Sequence, residues 1–166
     1  YDRQINNNSV RRRQEKNNHA SSQYQRQRQR QAQRDEVFSQ FNWLKDVYSP
    51  LNKIIEKILS PLDSQLYDLS ADPFDDELMS DFNDYLDNCM VYLEKGKNIL
   101  ASQPNPSQYA NVAANLYYCL NHISDGIEEL TRFTQTYDYD YLHTGKELFN
   151  LAVRINEEAK IIINQF

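Results

Sequence analysis

The sequence has few of the residues that break up a chain into short strands. Its 166 residues include only three Gly and five Pro. A sheet protein needs a turn after every strand, and Gly and Pro are common turn residues, whereas a handful of long helices needs only a few breaks. The composition therefore argues against a β-rich fold and predicts an all-α protein with one main domain.

Long apolar runs and cysteines are also scarce. No run approaches the roughly 20 apolar residues of a membrane span, and the first residues lack the basic-then-apolar order of a signal peptide. The two cysteines, Cys89 and Cys119, form no Cys-x-x-Cys pair, so neither a disulfide framework nor a zinc site is indicated. These shortages predict a cytoplasmic protein with no membrane span.

Charge is distributed unevenly along the chain. Residues 1–34 hold nine Lys/Arg against two Asp/Glu, a net +7, and the remaining residues hold nine against twenty-two, a net −13. The first segment is also rich in Gln and Asn and poor in apolar residues, so it cannot bury enough surface to offset the entropy cost of ordering. We predict a basic arm at 1–34 followed by a folded domain at 35–166.

The arm has two candidate states, disordered or helical. We expect disorder up to about residue 20. From Ser21 onward there is no Gly or Pro before Pro50, and Ser22 with Gln25 fits a capping box, which marks a helix start. A helix beginning there would be polar all round until Val37 and would therefore protrude.

The first apolar face of the domain begins at Val37. Ser49-Pro50 and Ser60-Pro61 each resemble an N-cap followed by proline at the first helical position, which predicts a segmented arrangement. The predicted face has steps of three and four residues and consists of Phe38, Phe41, Leu44, Tyr48, Leu51, Ile55, Ile58 and Leu62.

Three further helices are predicted. One starts at "DPFDDE", with Asp72 as N-cap and Pro73 at the first position, and has a core face of Leu78, Phe82, Tyr85, Cys89, Tyr92, Leu93 and Leu100. The next covers about 106–137, with Tyr109, Val112, Leu116, Cys119, Ile123, Ile127, Leu130 and Phe133. The last follows "YDYDY", with Leu148, Ala152, Ile155, Ala159, Ile162 and Phe166. Near-heptad spacing and short connections predict an antiparallel bundle of about four helices with coiled-coil-like packing.

One stretch of the domain is strongly acidic. Between Lys57 and Lys95 the sequence has ten Asp/Glu and no basic residue. The run serves either as a solvated helix face or as a docking face for a cationic partner, with Asp76, Asp81 and Asp84 as candidate contacts. It lacks the glycine turn and terminal glutamate of a calcium loop, and the chain has no paired Glu-x-x-His elements of a di-iron bundle. We predict no metal and no cofactor.

The basic arm has three candidate roles. It is a linker or helical spacer, a binding segment for nucleic acid or another anion, or a segment that docks on the acidic face. Arg26, Arg28, Arg30 and Arg34 are the candidate anion contacts, because Arg neutralises phosphates and releases their counterions. Only Tyr24 is available for base stacking, and no recognised nucleic-acid-reading module accompanies it.

Catalytic residues are not indicated. The spacing from Arg13 to His19 resembles that of small helical ribonucleases, but a catalytic pair must be held rigidly, and this pair lies in a polar segment. His122 reads as a satisfied or surface histidine. Cys89 and Cys119 fall on core faces without the basic surroundings that activate a thiol. We predict a protein that is not an enzyme.

Tyrosine, in contrast, is abundant, with twelve residues. Tyr is an amphipathic anchor at protein interfaces, so exposed tyrosines are candidate partner contacts. The alternative for "YDYDY" is a turn capped by Asp138 or Asp140 before the last helix. The candidate contacts are Tyr117, Tyr118, Tyr137, Tyr139 and Tyr141.

The opening "YDRQ" resembles the end of a J domain, whose last helix typically closes on a Tyr-Asp pair beside a basic residue. Tyr1, Asp2 and Arg3 match this pattern, and a polar linker composition follows. The resemblance implies the C-terminal fragment of a DnaJ-like co-chaperone, whose J domain would stimulate a heat-shock ATPase through a His-Pro-Asp loop. That tripeptide is absent here, and so are a Gly/Phe-rich stretch and a cysteine-rich zinc module, which implies a divergent J-domain protein.

These observations lead to two functional hypotheses. The first is a non-catalytic protein-interaction or targeting module that binds a client or partner, as part of a J-domain co-chaperone. The second is a nucleic-acid-associated bundle that binds through the arm.

Overall fold

A computed structural model describes the backbone of residues 2–166 and the side chains of residues 11–35 and 42–166. The J-domain resemblance rests on Tyr1, Asp2 and Arg3, which lie outside the described side chains. The same holds for Val37, Phe38 and Phe41 of the predicted apolar face. The chain divides into two compact units, Tyr1–Ser39 and Gln40–Phe166, and the domain boundary predicted at residue 35 stays a prediction.

The arm is helical. Helix α1 runs from Asp2 to Trp43, so it begins about twenty residues before the capping box at Ser22, and the disorder expected up to residue 20 is not what the structure has. The segment contains no Gly or Pro, the two residues that cost a helix most. Its described side chains from 11 to 35 are exposed, apart from the half-buried Ser22.

The two Ser-Pro steps differ in backbone structure, and neither serine is the N-cap that the sequence predicted. After α1 the backbone winds as a π-helical turn, Leu44–Tyr48, and passes directly into α2, Ser49–Leu59. Ser49 is helical, and no side chain caps α2, so the cap predicted there is wrong. The chain does break at Ser60-Pro61 before α3, Leu62–Ala71, where Pro61 rather than Ser60 occupies the N-cap position. The predicted segmentation is thus confirmed at the second step.

Two aspartates cap the later helices. Helix α4 is Asp76–Leu100, and the Asp75 carboxylate accepts hydrogen bonds from the backbone N–H groups of Glu77 and Leu78. The cap predicted at Asp72 is wrong, since its carboxylate instead accepts from the Phe74 N–H within the preceding turn. Asp138, one of the two residues predicted, caps α6, Tyr139–Asn164.

Helix α5, Ala110–Thr136, follows a short 3-10 turn, Ser107–Tyr109. All eight residues of the face predicted for this region are buried. Four of the seven residues predicted for the face of α4 are buried, namely Phe82, Tyr85, Cys89 and Leu93, and so are two of the six predicted for the last helix, Ala152 and Ala159. Elsewhere a neighbour is the buried residue: Met79 is buried beside the half-buried Leu78, and Phe149 beside the half-buried Leu148, while Phe166 is exposed.

Close approach of α5 and α6 forms the tightest part of the domain. A Cβ atom on Gly126 would lie 2.6 Å from the Phe149 ring, and one on Gly145 would lie 3.3 Å from the Gly126 carbonyl oxygen. Seven residues away on each helix, the Cys119 thiol donates to the Ala152 carbonyl oxygen at 3.5 Å. Small residues at heptad spacing on both helices therefore let an antiparallel pair approach backbone to backbone.

The remaining helices complete the bundle. Tyr85 of α4 donates a hydrogen bond to the Ile58 carbonyl of α2, while Gly96 lies against Leu51, so these two helices are also antiparallel. Lys160 of α6 pairs with Glu56 of α2. The predicted all-α bundle is confirmed. Among the described residues, no helix is both long enough and apolar enough to cross a membrane.

Candidate interaction groove

A groove of about 720 Å³ lies where the end of α4 meets the beginning of α5. Lys97, Asn105 and Asn121 are polar members of its wall. Its aliphatic lining consists of Leu100, Ala101, Ala110, Ala113, Ala114 and Leu120. We call this hollow the α4/α5 groove.

Two of the predicted contact tyrosines lie in this groove. The side chains of Tyr117 and Tyr118 are 56% and 55% exposed, and their rings make an edge-to-face pair with centroids 5.6 Å apart. They line the groove together. An exposed aromatic pair beside an apolar hollow is a typical composition for a protein contact surface.

A second hollow continues along the same two helices. Met90 and Leu93 of α4 face Ser124, Ile127 and Thr131 of α5 there, one or two helical turns beyond the α4/α5 groove. Met90 is 56% exposed. Both hollows thus lie between α4 and α5, and Met90 is the exposed large apolar side chain of the second one.

Cations flank the seam. Lys97 lines the α4/α5 groove, and Arg132 lines the second hollow, where it pairs with Glu128 at 2.9 Å and Glu129 at 3.4 Å. In the described part of the chain Lys97 is in no ion pair. The seam therefore presents an unpaired positive charge in a domain that is strongly acidic overall.

The single tryptophan is coupled to the groove. Trp43 is fully buried, stacks on Tyr109 with ring centroids 5.3 Å apart, and donates from Nε1 to Asn105 Oδ1 at 3.0 Å. Asn105 is part of the groove wall. The indole therefore touches the groove through a single hydrogen bond.

The other predicted tyrosines lie elsewhere. Tyr137 stacks on the exposed ring of Phe74, with centroids 5.2 Å apart, and Tyr139 packs on Phe133. Tyr141 is half-buried beside Arg132.

Tyr137 has φ 58°, a left-handed conformation at the C-cap of α5 that costs a non-glycine residue roughly 1–2 kcal/mol. Phe74, Tyr137 and Tyr139 form an aromatic patch around Phe133, and none of them lines the α4/α5 groove.

The predicted acidic contacts are on the surface. Asp76, Asp81 and Asp84 are exposed along α4, and the first lies in the N-terminal turn, where a negative charge favours the helix. Within the described residues no group of three His, Cys, Asp or Glu side chains could hold a metal ion. The choice between a solvated face and a docking face stays open.

Helix α1 arranges the arginines of the arm. Arg26, Arg30 and Arg34 are exposed at four-residue spacing and share one face of α1. Arg28 lies on another face, with its guanidinium 5.8 Å from the Tyr24 ring. The His19 ring lies 3.4 Å from the Gln23 amide, and both His19 and Arg13 are exposed.

Both cysteines are buried free thiols. Burial raises the pKa of the Cys89 thiol to about 11 and that of the Cys119 thiol to about 12, so neither forms the reactive thiolate near neutral pH. His122 is half-buried, and its Nδ1 has no hydrogen-bond partner among the described residues. These side chains are part of the packing of the bundle.

Sequence reasoning found the two groove tyrosines but missed Lys97, Asn105 and Met90. A signal for the groove was present on α5, where Ala110, Ala114, Tyr117 and Asn121 recur at steps of three and four beside the core stripe. That second apolar stripe indicates a helix with two contact faces. Nothing in the sequence indicated that Lys97 would lie beside it.

A family model described as "Cyanobacterial DnaJ chaperone, C-terminal domain" matches residues 33–166. No curated protein and no solved structure matched the chain. The matched range contains α2 to α6 in full, with the whole of the α4/α5 groove, and leaves out most of α1.

Proposed function

The chain belongs to the family of cyanobacterial DnaJ chaperone C-terminal domains, and from that premise we propose that it is a non-catalytic module that binds a protein client or partner for a J-domain co-chaperone. The proposal assigns no chemical step to its side chains. Contact with a heat-shock ATPase would belong to a J domain, since this sequence contains no His-Pro-Asp loop. We also propose a cytoplasmic location, on the basis of its two free thiols.

The α4/α5 groove is the observation that supports this proposal. Tyr117 and Tyr118 in the groove, and Met90 in the adjoining hollow, each expose more than half of their surface. Apolar surface removed from water stabilises a complex by roughly 25 cal/mol per Å², and contiguous exposed patches mark contact sites. The surface is therefore suited to bind another polypeptide.

The test measures binding of the complete chain to a permanently unfolded client, for which we choose fluorescently labelled, reduced and carboxymethylated α-lactalbumin. We expect saturable binding by fluorescence anisotropy, and a loss of affinity of about tenfold in the Tyr117→Ser/Tyr118→Ser double variant. Tyr67→Ser is the matched control, because Tyr67 is 78% exposed on α3 and lines no part of the groove. Absence of binding to this client overturns the proposed function.

One observation supports a second candidate, binding of nucleic acid through α1. The structure aligns Arg26, Arg30 and Arg34 on one exposed face, and a row of cations can follow a phosphate backbone. The paucity of aromatic side chains on α1 makes base readout a poor explanation, so the expected binding is independent of nucleotide sequence.

Salt dependence distinguishes this candidate from the first. Binding of a labelled oligonucleotide should weaken steeply with salt, and Arg26→Gln/Arg30→Gln should reduce the slope of log K against log[salt] by about 2. Removal of residues 1–34 should abolish it. Binding that is indifferent to salt or to that truncation overturns the candidate.

A further inference from the structure

We propose that the α4/α5 groove binds an amphipathic α-helix of a partner protein that carries a carboxylate beside its apolar stripe. The inference rests on the proposed function, because it names the class of partner that the same surface receives. It follows from the shape of the seam, from the chemistry of its walls and from its charge.

The shape of the seam suits a helix. Side chains line it from Met90 to Leu100 on α4, ten residues that extend about 15 Å, or roughly three helical turns. Ala110 and Ala114 form an exposed small-residue floor on α5, which allows a close approach of a partner helix. Tyr117 and Tyr118 beside that floor offer two rings for its apolar side chains.

The walls of the seam exclude an extended peptide as the preferred occupant. Both α4 and α5 satisfy their backbone groups internally along the seam, so they offer no strand edge. A peptide in an extended conformation would lose its water contacts without gaining backbone partners. A helix satisfies its own backbone and presents only side chains, which is the helix-in-groove mode of recognition.

Charge selects the class of helix. The domain from residue 35 onward has a net charge of −13, so only a local positive charge within the seam can attract a carboxylate. Two basic side chains line the seam: Arg132 pairs with Glu128 and Glu129, whereas Lys97 lines the α4/α5 groove and has no ion-pair partner among the described side chains. A carboxylate on the incoming helix would pair with it, and a lysine at that place would meet a like charge.

The fluorescence of Trp43 provides a signal for binding of a helix in the α4/α5 groove. Trp43 donates to Asn105, a member of the groove wall, and is the one tryptophan of the chain. A helix in the groove should therefore change the Trp43 fluorescence, while binding at the Phe74–Tyr137 patch should not, because that patch shares no described contact with Trp43.

The experiment compares two synthetic 18-residue amphipathic helices with the same Leu/Ala stripe, one flanked by Glu and one by Lys, each titrated into the complete chain. We expect the Glu peptide to bind more tightly and to change Trp43 emission. Lys97→Glu should weaken the Glu peptide about tenfold and strengthen the Lys peptide. Lys95→Glu is the matched control: it makes the same change of charge two residues away, on a side chain that lies over the Tyr92 ring.

Each result has a definite meaning. The preference for a carboxylate is wrong if the two peptides bind with equal affinity, or if Lys97→Glu and Lys95→Glu have equal effects. The proposed function stands in that case as long as the client still binds. If neither peptide binds while the client still does, the inference that the groove binds a helix is wrong. Loss of client binding as well overturns the proposed function itself. Sedimentation equilibrium tests for a dimer of the chain. If the chain is a dimer and Tyr117→Ser/Tyr118→Ser dissociates it, a second copy occupies the groove and the inference is wrong.

Discussion

Helix α1 is longer than α5 and contains neither Gly nor Pro, yet none of its residues between 11 and 35 is buried, whereas ten residues of α5 are. Both adopt the same backbone conformation. Helix α1 does so because its residues are adequate helix formers without a breaker, and α5 does so while apolar residues recur at steps of three and four. Propensity thus makes a helix, but only the apolar period makes it part of a core.

The two helices also offer different surfaces to partners. The described side chains of α1 present arginines and amides with one exposed aromatic ring, Tyr24, so we expect binding through it to be mainly electrostatic and sensitive to salt. Helix α5 has a second apolar stripe facing away from α6, through which the domain presents Tyr117 and Tyr118. The contrast separates the two functional candidates, because each depends on one helix.

The contrast in burial predicts the largest effect at Phe149, a fully buried residue of α6 that packs against α5. Phe149→Ala removes a buried ring and leaves a cavity, so it should lower the free energy of unfolding by about 3–5 kcal/mol. Urea unfolding followed by circular dichroism measures this. Tyr24→Ala in α1 should change stability by less than about 0.5 kcal/mol, and equal effects would contradict the division into a core and an unburied helix.

A smaller effect is expected at the helix crossing. Gly126→Ala places a methyl group 2.6 Å from the Phe149 ring, and this overpacking should cost about 1–3 kcal/mol despite the better helix propensity of Ala. Gly96→Ala is the control, because the nearest atom to its Cβ would be the flexible end of Leu51 at 3.1 Å. The prediction is wrong if the two variants have the same unfolding midpoint.

Alkaline pH should act through the core thiols. Burial raises the pKa of Cys119 from 9.0 to about 12, so the unfolded chain loses this proton first and native stability declines as pH rises above 9. The contribution is complete below the unfolded pKa and is lost through the folded one. From about pH 8 to about pH 10, Cys119→Ala should lose about 1 kcal/mol less stability than the parent. Parallel pH profiles would refute this.

The smallest effect on stability is expected in α1. Gln27→Pro should reduce the helical circular dichroism signal, because proline removes a hydrogen bond and clashes with the preceding turn. The unfolding midpoint of the bundle should stay within about 0.5 kcal/mol of the parent. A loss of several kcal/mol would mean that α1 contributes to the core.

Sequence reasoning succeeded where local signals were strong and failed where several signals were equivalent. Seven of the ten buried residues of α5 were predicted, because apolar positions at steps of three and four leave a single helical phase. The start of α4 was misplaced, because Asp72 and Asp75 are both good caps in "ADPFDDE" and only packing decides between them. At Ser49-Pro50 the π-helical turn keeps the chain winding, an outcome that the local signal of a serine before proline does not reveal.

Local sequence was enough to predict the all-α class, most of the buried stripe of α5 and the separation of positive from negative charge. Each of these depends on residue type and spacing within one segment. Only the packed structure shows that Lys97 and Tyr117 line one groove, that Asn105 accepts a hydrogen bond from the Trp43 indole, and that Tyr137 adopts a left-handed conformation. The physical reason is that periodicity assigns a face to each helix, whereas the choice of neighbours, and of the seam left open to a partner, depends on how all the faces pack together.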